Sequence, residues 1–90
     1  MLKIVSSNQF KKDLKLAIKR GLKIEKLRDV VNSLAGQETL DEKIRDHVLT
    51  GEYRGFRECH IEPDWLLVYR VDEGELELFL FRTGSHSDLF

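Results

Sequence analysis

The sequence predicts an α+β domain of order β-α-α-β-β-β, an antiparallel sheet with a helical hairpin on one face. Three observations predict it. Apolar residues recur at helical spacing in two stretches between residues 9 and 35, the spacing changes to that of strands from residue 53 onward, and proline or glycine turn signals separate the strand-like stretches. Ninety residues, 41% of them hydrophobic, suffice for one core and make a second domain unexpected, so residues 1–90 are read as a single domain.

Leu2 to Val5 is a short β-prone run, and Ser6, Ser7 and Asn8 behind it are the residue types that cap a helix starting near Gln9. Phe10, Leu14, Ala17 and Ile18 then recur at helical spacing among Lys11, Lys12, Lys15 and Lys19, until Gly21 supplies a stop. Ile24, Leu27, Val30, Val31 and Leu34 form a second stripe that ends before Gly36. With so few residues between them, the two helices are expected to form an antiparallel hairpin. From Gln37 to Gly51 only Leu40, Ile44, Val48 and Leu49 interrupt a polar stretch, which reads as a loop with little regular structure. Strands are expected over Tyr53 to Ile61, Trp65 to Val71 and Leu76 to Arg82, with turns at Glu62-Pro63-Asp64 and Asp72-Glu73-Gly74. The helices cover one sheet face and leave the other largely open, a shallow groove that suits a polymer better than a small metabolite.

Composition narrows the function classes. No stretch approaches the roughly 20 apolar residues that span a bilayer, and the opening Met-Leu-Lys-Ile-Val is too short for a secretory signal, so a cytoplasmic protein with no membrane partner is expected. Cys59 is the only cysteine, which removes intramolecular disulfides and cysteine-based zinc frameworks. The net charge of -1 hides an asymmetry: residues 1–28 carry nine basic and two acidic side chains, a balance of +7, and residues 29–90 carry six and fourteen, a balance of -8. A run of one sign on a helix is either a solvated face or a contact for RNA or an acidic protein.

The chemistry-bearing residues lie in the acidic half. His47, His60 and His86 fall on the loop, the first meander strand and the C-terminal tail. Imidazole both takes and gives a proton near neutrality, so three of them could form an acid-base site, or each could stand alone. A metal site could draw on His47, Cys59, His60, Asp64 and His86, but none matches a metal-ligand spacing, and adjacent Cys59 and His60 should face opposite sides of the sheet. Arg54, Arg57 and Arg82 could hold phosphate oxygens bidentately or pair with nearby carboxylates. Trp65 reads as core or as a base-stacking ring, Asp64 as a turn cap or a histidine partner. Phe90 is a large ring for an unanchored terminus, and either packs on the sheet or meets a ligand.

Asp46-His47-Val48-Leu49-Thr50-Gly51, then Gly55-Phe56-Arg57-Glu58-Cys59-His60-Ile61-Glu62-Pro63-Asp64-Trp65-Leu66-Leu67-Val68-Tyr69, and the tail Arg82-Thr83-Gly84-Ser85-His86-Ser87-Asp88-Leu89-Phe90 together resemble the signature of YafQ-type toxins of the RelE superfamily. These segments cover about half the chain in the family's order. The N-terminal half is similar in Phe10-Lys11-Lys12-Asp13-Leu14-Lys15 and Lys19-Arg20-Gly21, and departs at Leu40-Asp41-Glu42-Lys43-Ile44, where relatives often carry a proline after the leucine and a tyrosine near Ile44.

The resemblance implies a RelE-like fold and a type II toxin that cuts mRNA on the ribosome with no metal or other cofactor. It also implies a cognate antitoxin, RelB- or DinJ-like with a ribbon-helix-helix end, bound in a hetero-oligomer. By motif position the functional set would be His47, His60, Asp64, Trp65, His86 and Phe90. Metal-free RNA cleavage needs a base for the ribose 2′-hydroxyl, an acid for the departing 5′ oxygen and donors for the phosphate. His86, with His60 or His47 as counterpart and Asp64 orienting a histidine, is the expected catalytic set. Arg82 and Arg57 are expected on phosphate, Trp65 and Phe90 on bases, and Lys11, Lys12 and Lys15 on the RNA backbone. The competing reading is a non-catalytic module that binds RNA, ribosome or antitoxin through its basic helix.

Overall fold

Ser7 shows how the first elements are joined. Its hydroxyl accepts the Phe10 N–H at 2.9 Å and donates to the Phe81 carbonyl at 2.7 Å, so one side chain caps a helix and ties it to a strand at the far end of the chain. The computed structural model describes residues Met1–Phe90. The elements are β1 (Lys3–Ser6), α1 (Asn8–Lys19), α2 (Ile24–Ala35), β2 (His47–Val48), β3 (Arg57–Glu62), β4 (Trp65–Asp72), β5 (Glu77–Gly84) and α3 (His86–Leu89). Helix α1 ends where Gly21 takes a φ of 76°, a conformation that costs glycine nothing, and α2 ends at Gly36 as its spacing predicts.

The α+β class and the helical layer agree with the sequence reading. The sheet differs in two ways. Its five strands run in the order β1-β5-β4-β3-β2, and β1 lies parallel to β5, so the sheet is mixed and not antiparallel throughout. The chain leaves β1 through both helices, and the meander ends with β5 at an edge that β1 fills from the same direction. The stretch expected to be irregular also holds β2, paired through His47 with Glu58 and through Val48 with Arg57. A two-residue strand shows no period of two, so only its tertiary partner reveals it. Strand β3 begins at Arg57 and not Tyr53, because Gly51–Tyr53 form a single 3-10 turn. The C-terminal tail is likewise a short helix, with Ser85 and Asp88 exchanging side-chain and backbone hydrogen bonds in a capping box.

Alternation along the strands divides the apolar residues between the two faces. Cys59, Ile61, Trp65, Leu67, Tyr69, Leu78 and Leu80 join Phe10, Ala17, Leu27, Val30, Val31 and Leu34 of the helices in one buried core. Burial of each large side chain there contributes about 1.5–3 kcal/mol. Leu66 and Val68 point the other way and are covered by Leu89 of α3, with Leu49, Phe56 and Phe81 around them. The two clusters thus fix the helices on one face and α3 on the other. No helix is long and apolar enough to cross a membrane.

Candidate active site

Strand register builds the site. His47 on β2 stands opposite Glu58 on β3, and His60, two residues on, shares its face. Cys59 between them turns into the core, where burial and the neighbouring Asp46 and Glu58 carboxylates push its thiol up to about 12. His86 is the first residue of α3, directly beyond β5. The imidazole centroids are 6.4 Å apart for His47 and His60 and 5.8 Å apart for His60 and His86, so His60 is central.

All three rings are held by the same nitrogen. His47 Nδ1 donates to the Arg45 carbonyl at 2.8 Å, His60 Nδ1 to the Pro63 carbonyl at 3.3 Å, and His86 Nδ1 to Asp64 Oδ1 at 3.1 Å. Carbonyl and carboxylate oxygens only accept, so the proton sits on Nδ1, and each neutral ring keeps its Nε2 lone pair for chemistry. Asp64 also accepts the His86 backbone N–H at 3.2 Å. These two bonds, the side-chain one foremost, hold the Asp64 carboxyl below the usual carboxylate range.

Glu58 is the functional residue that reading the sequence left out. Only 5% exposed, it places Oε1 3.5 Å from His47 Nε2 and 3.9 Å from His60 Nε2. The signal was present: strand alternation puts Glu58 and His60 on one face. Among fourteen acids in that half of the chain, however, nothing in the sequence singles this one out.

Several expected RNA contacts lie elsewhere. Trp65 is 2% exposed and donates its indole N–H to Thr83 Oγ1 at 3.0 Å, which makes it a core residue beneath the site. Arg82 places Nε 2.8 Å and Nη2 3.2 Å from the Asp13 carboxylate, which also accepts the Thr83 N–H. Arg57 makes a two-point contact with Asp46 at 3.2 Å, and Tyr69 donates to the same carboxylate at 2.5 Å. Burial and that carboxylate raise the Tyr69 phenol. Both arginines therefore spend their fork on aspartates, Asp13 tying α1 and Asp46 the segment before β2 to the sheet. Lys11, Lys12 and Lys15 sit on α1, across the sheet from the histidines.

Phe90 does reach the site face. Its ring is 59% exposed and meets Tyr53 edge-on with centroids 5.2 Å apart. Helix α3 is pinned behind it: Arg20 Nη1 contacts Asp88 Oδ2 at 2.7 Å, and Asp88 also accepts the Ser85 N–H at 2.9 Å.

Comparison with known proteins gives these residues a context. Residues 2–90 match the family described as the bacterial toxin of type II toxin-antitoxin system, YafQ. The chain is 39% identical over 85 residues to the mRNA interferase toxin YafQ of Escherichia coli strain K12, covering 93% of this chain and 90% of that one. Among solved structures it is similar to a metal-bound toxin from Helicobacter pylori, with a TM-score of 0.95 and 49% identity over 100% of both chains. It is also similar to the toxin of the E. coli DinJ-YafQ toxin-antitoxin complex, with a TM-score of 0.88 and 37% identity over 100% of this chain and 99% of that one.

The metal in the Helicobacter relative prompts a test of the donors here. No three of the histidine, cysteine, aspartate and glutamate side chains converge at ligand spacing. Asp64 faces His86 while Glu58 faces His47 and His60, so the carboxylates are divided between the imidazoles. As placed, this donor set does not fit a resident ion.

Proposed function

The chain belongs to the YafQ family of bacterial type II toxins, and from that premise we propose that it is an mRNA interferase, an endoribonuclease that cuts mRNA on the ribosome in the cytoplasm. A cognate antitoxin neutralises it, a reading supported by the toxin-antitoxin complex that a relative, YafQ of E. coli, forms with DinJ. The observation that carries the reading is the set of three imidazoles anchored at Nδ1 with Nε2 left for chemistry.

In the proposed reaction one Nε2 takes the proton of the ribose 2′-hydroxyl and O2′ attacks phosphorus. The P–O5′ bond breaks, and a protonated imidazole gives its proton to O5′. His86, held by Asp64, faces His60 across the 5.8 Å between their rings, and these two are the acid-base pair. His47, sharing Glu58 with His60, stabilises charge as the phosphorane forms. Phe90 stacks on a base beside the cut, since sequence-dependent RNA contacts rest on splayed, stacked bases. Trp65 and Arg82 position the strand ends that carry the catalytic side chains.

This route leaves a 2′,3′-cyclic phosphate and a free 5′-hydroxyl. Induced expression in a bacterial cell, followed by mapping of transcript ends, tests it. Growth arrest with codon-phased cuts bearing 5′-hydroxyl ends is the expected result. Cuts bearing 5′-phosphate would mean attack by water and overturn the scheme.

A further inference from the structure

Arg45 is the strained residue next to the histidines. Its φ of 53° and ψ of 46° lie in the left-handed region that arginine rarely enters. That conformation turns its carbonyl onto His47 Nδ1 at 2.8 Å. The backbone task needs no particular side chain and would suit glycine better, so the presence of arginine calls for a role of its guanidinium. Unlike those of Arg20, Arg57 and Arg82, that guanidinium is in no ion pair.

Arg45 lines a cleft of about 550 Å³ together with Lys26, Lys43, His60, Glu62 and Pro63. Lys26 and Glu62 neutralise each other there at 3.0 Å, which leaves Lys43 and Arg45 as the cations of the cleft that are in no ion pair, sharing it with His60. Arg45 also borders an acidic recess with Glu38, Asp41, Glu42 and Asp46. Asp46 is occupied by Arg57 and Tyr69, Asp41 Oδ1 accepts the Lys43 N–H, and neither Glu38 nor Glu42 is in an ion pair with the guanidinium.

We propose that Lys43 and Arg45 form an RNA phosphate site, holding the phosphodiester next to the one cut at His60. The inference rests on the reading of the chain as a ribonuclease and gives it a binding determinant that its motifs do not contain. Arg57 and Arg82 are committed to aspartates, so a flanking phosphate finds its free cations in this loop. The shared cleft with His60 favours RNA over an acidic peptide as the occupant.

The test is the salt dependence of binding to a fully 2′-O-methylated single-stranded RNA oligonucleotide, which cannot be cleaved. Each phosphate contact on a single strand contributes about 0.7 to the slope of log K against log salt. Arg45→Gly should lower the slope by about 0.7 and weaken binding roughly tenfold at low salt, in line with the loss of one charged hydrogen-bonding contact. Its melting temperature should rise, because glycine removes the backbone strain. Arg45→Lys should keep the slope, and adding Lys43→Ala to Arg45→Gly should lower it further. An unchanged slope in Arg45→Gly overturns the site. Loss of antitoxin binding with the RNA slope intact also overturns it, and assigns the cleft to the protein partner. If the unmodified protein shows no salt-dependent affinity for this RNA, the site is likewise overturned; the ribonuclease reading fails only if induced expression leaves cellular transcripts uncut, so the two failures are distinguishable.

Discussion

Glu58 reads as a core strand residue by burial and as a site residue by its partners. Its carboxylate, 5% exposed, meets two imidazoles and no arginine or lysine. Glu58→Gln keeps the shape and removes the charge that would steady a protonated His47 or His60. Single-turnover cleavage should fall by about tenfold or more, with the melting temperature nearly unchanged. His86→Ala should cost more, on the order of 100- to 10,000-fold in cleavage rate, the usual contribution of a positioned acid or base. His86 is an exposed residue at the start of α3, so its variant should keep both fold and antitoxin affinity, checked by circular dichroism and titration calorimetry. The histidines were legible because imidazole is rare and chemically distinctive. Glu58 was not, because one acid among many gains meaning only from the register that sets it opposite His47.

At the scale of elements, the site depends on how its supports are tied. Asp13 of α1 holds Arg82 and the Thr83 N–H of β5, and Thr83 in turn accepts from Trp65 and donates to the Leu66 carbonyl. Asp13→Ala strands a guanidinium and a backbone donor. It should destabilise the domain by about 3 kcal/mol, the low end for a broken buried pair because Arg82 keeps some solvent access, and urea denaturation would measure it. Helix α3 is tied by Asp88 to Arg20 and Ser85, and by Asp64 to its own first residue. It also needs Gly84, where a Cβ would come within 3.0 Å of the Asp88 side chain. Both carboxyls are held below their ordinary range, Asp88 chiefly by Arg20 and Asp64 chiefly by His86. A depressed folded pKa stabilises above the unfolded value of about 3.9 and ceases to as pH falls through the folded value. The docking of α3 should therefore be complete at neutral pH and weaken below about pH 4. Its amides should lose hydrogen-exchange protection there before those of β4 do. The periodic elements α1, α2, β4 and β5 were legible in the sequence because each is long enough to repeat. Strand β2 and helix α3 were not, because two and four residues repeat nothing.

For the whole molecule, the sheet separates two surfaces of different charge and chemistry. The histidines occupy one face, and the basic helix α1 packs on the other with Phe10 and Ala17 in the core. The charge asymmetry visible in the sequence is thus an asymmetry of layers, which composition could suggest but only the fold could place. Among the lysines of α1, Leu16 and Ile18 are 42% and 57% exposed. A nucleic acid has little use for exposed aliphatic groups between cations, whereas a partner helix with acidic and apolar residues matches both, and an antitoxin presenting such a helix would dock here. The triple variant Lys11→Glu, Lys12→Glu, Lys15→Glu should therefore weaken antitoxin binding by roughly a hundredfold or more at low salt. The effect should shrink as salt is raised, because rim charges act through a screened field. Single-turnover cleavage of ribosome-bound mRNA by the antitoxin-free toxin should stay within about twofold of the unmodified protein, since none of these residues reaches the imidazole face. Calorimetric titration with antitoxin and a cleavage assay on the same preparation separate the two effects. Loss of cleavage with antitoxin affinity retained would show that RNA crosses both layers, and would return the basic helix to the substrate.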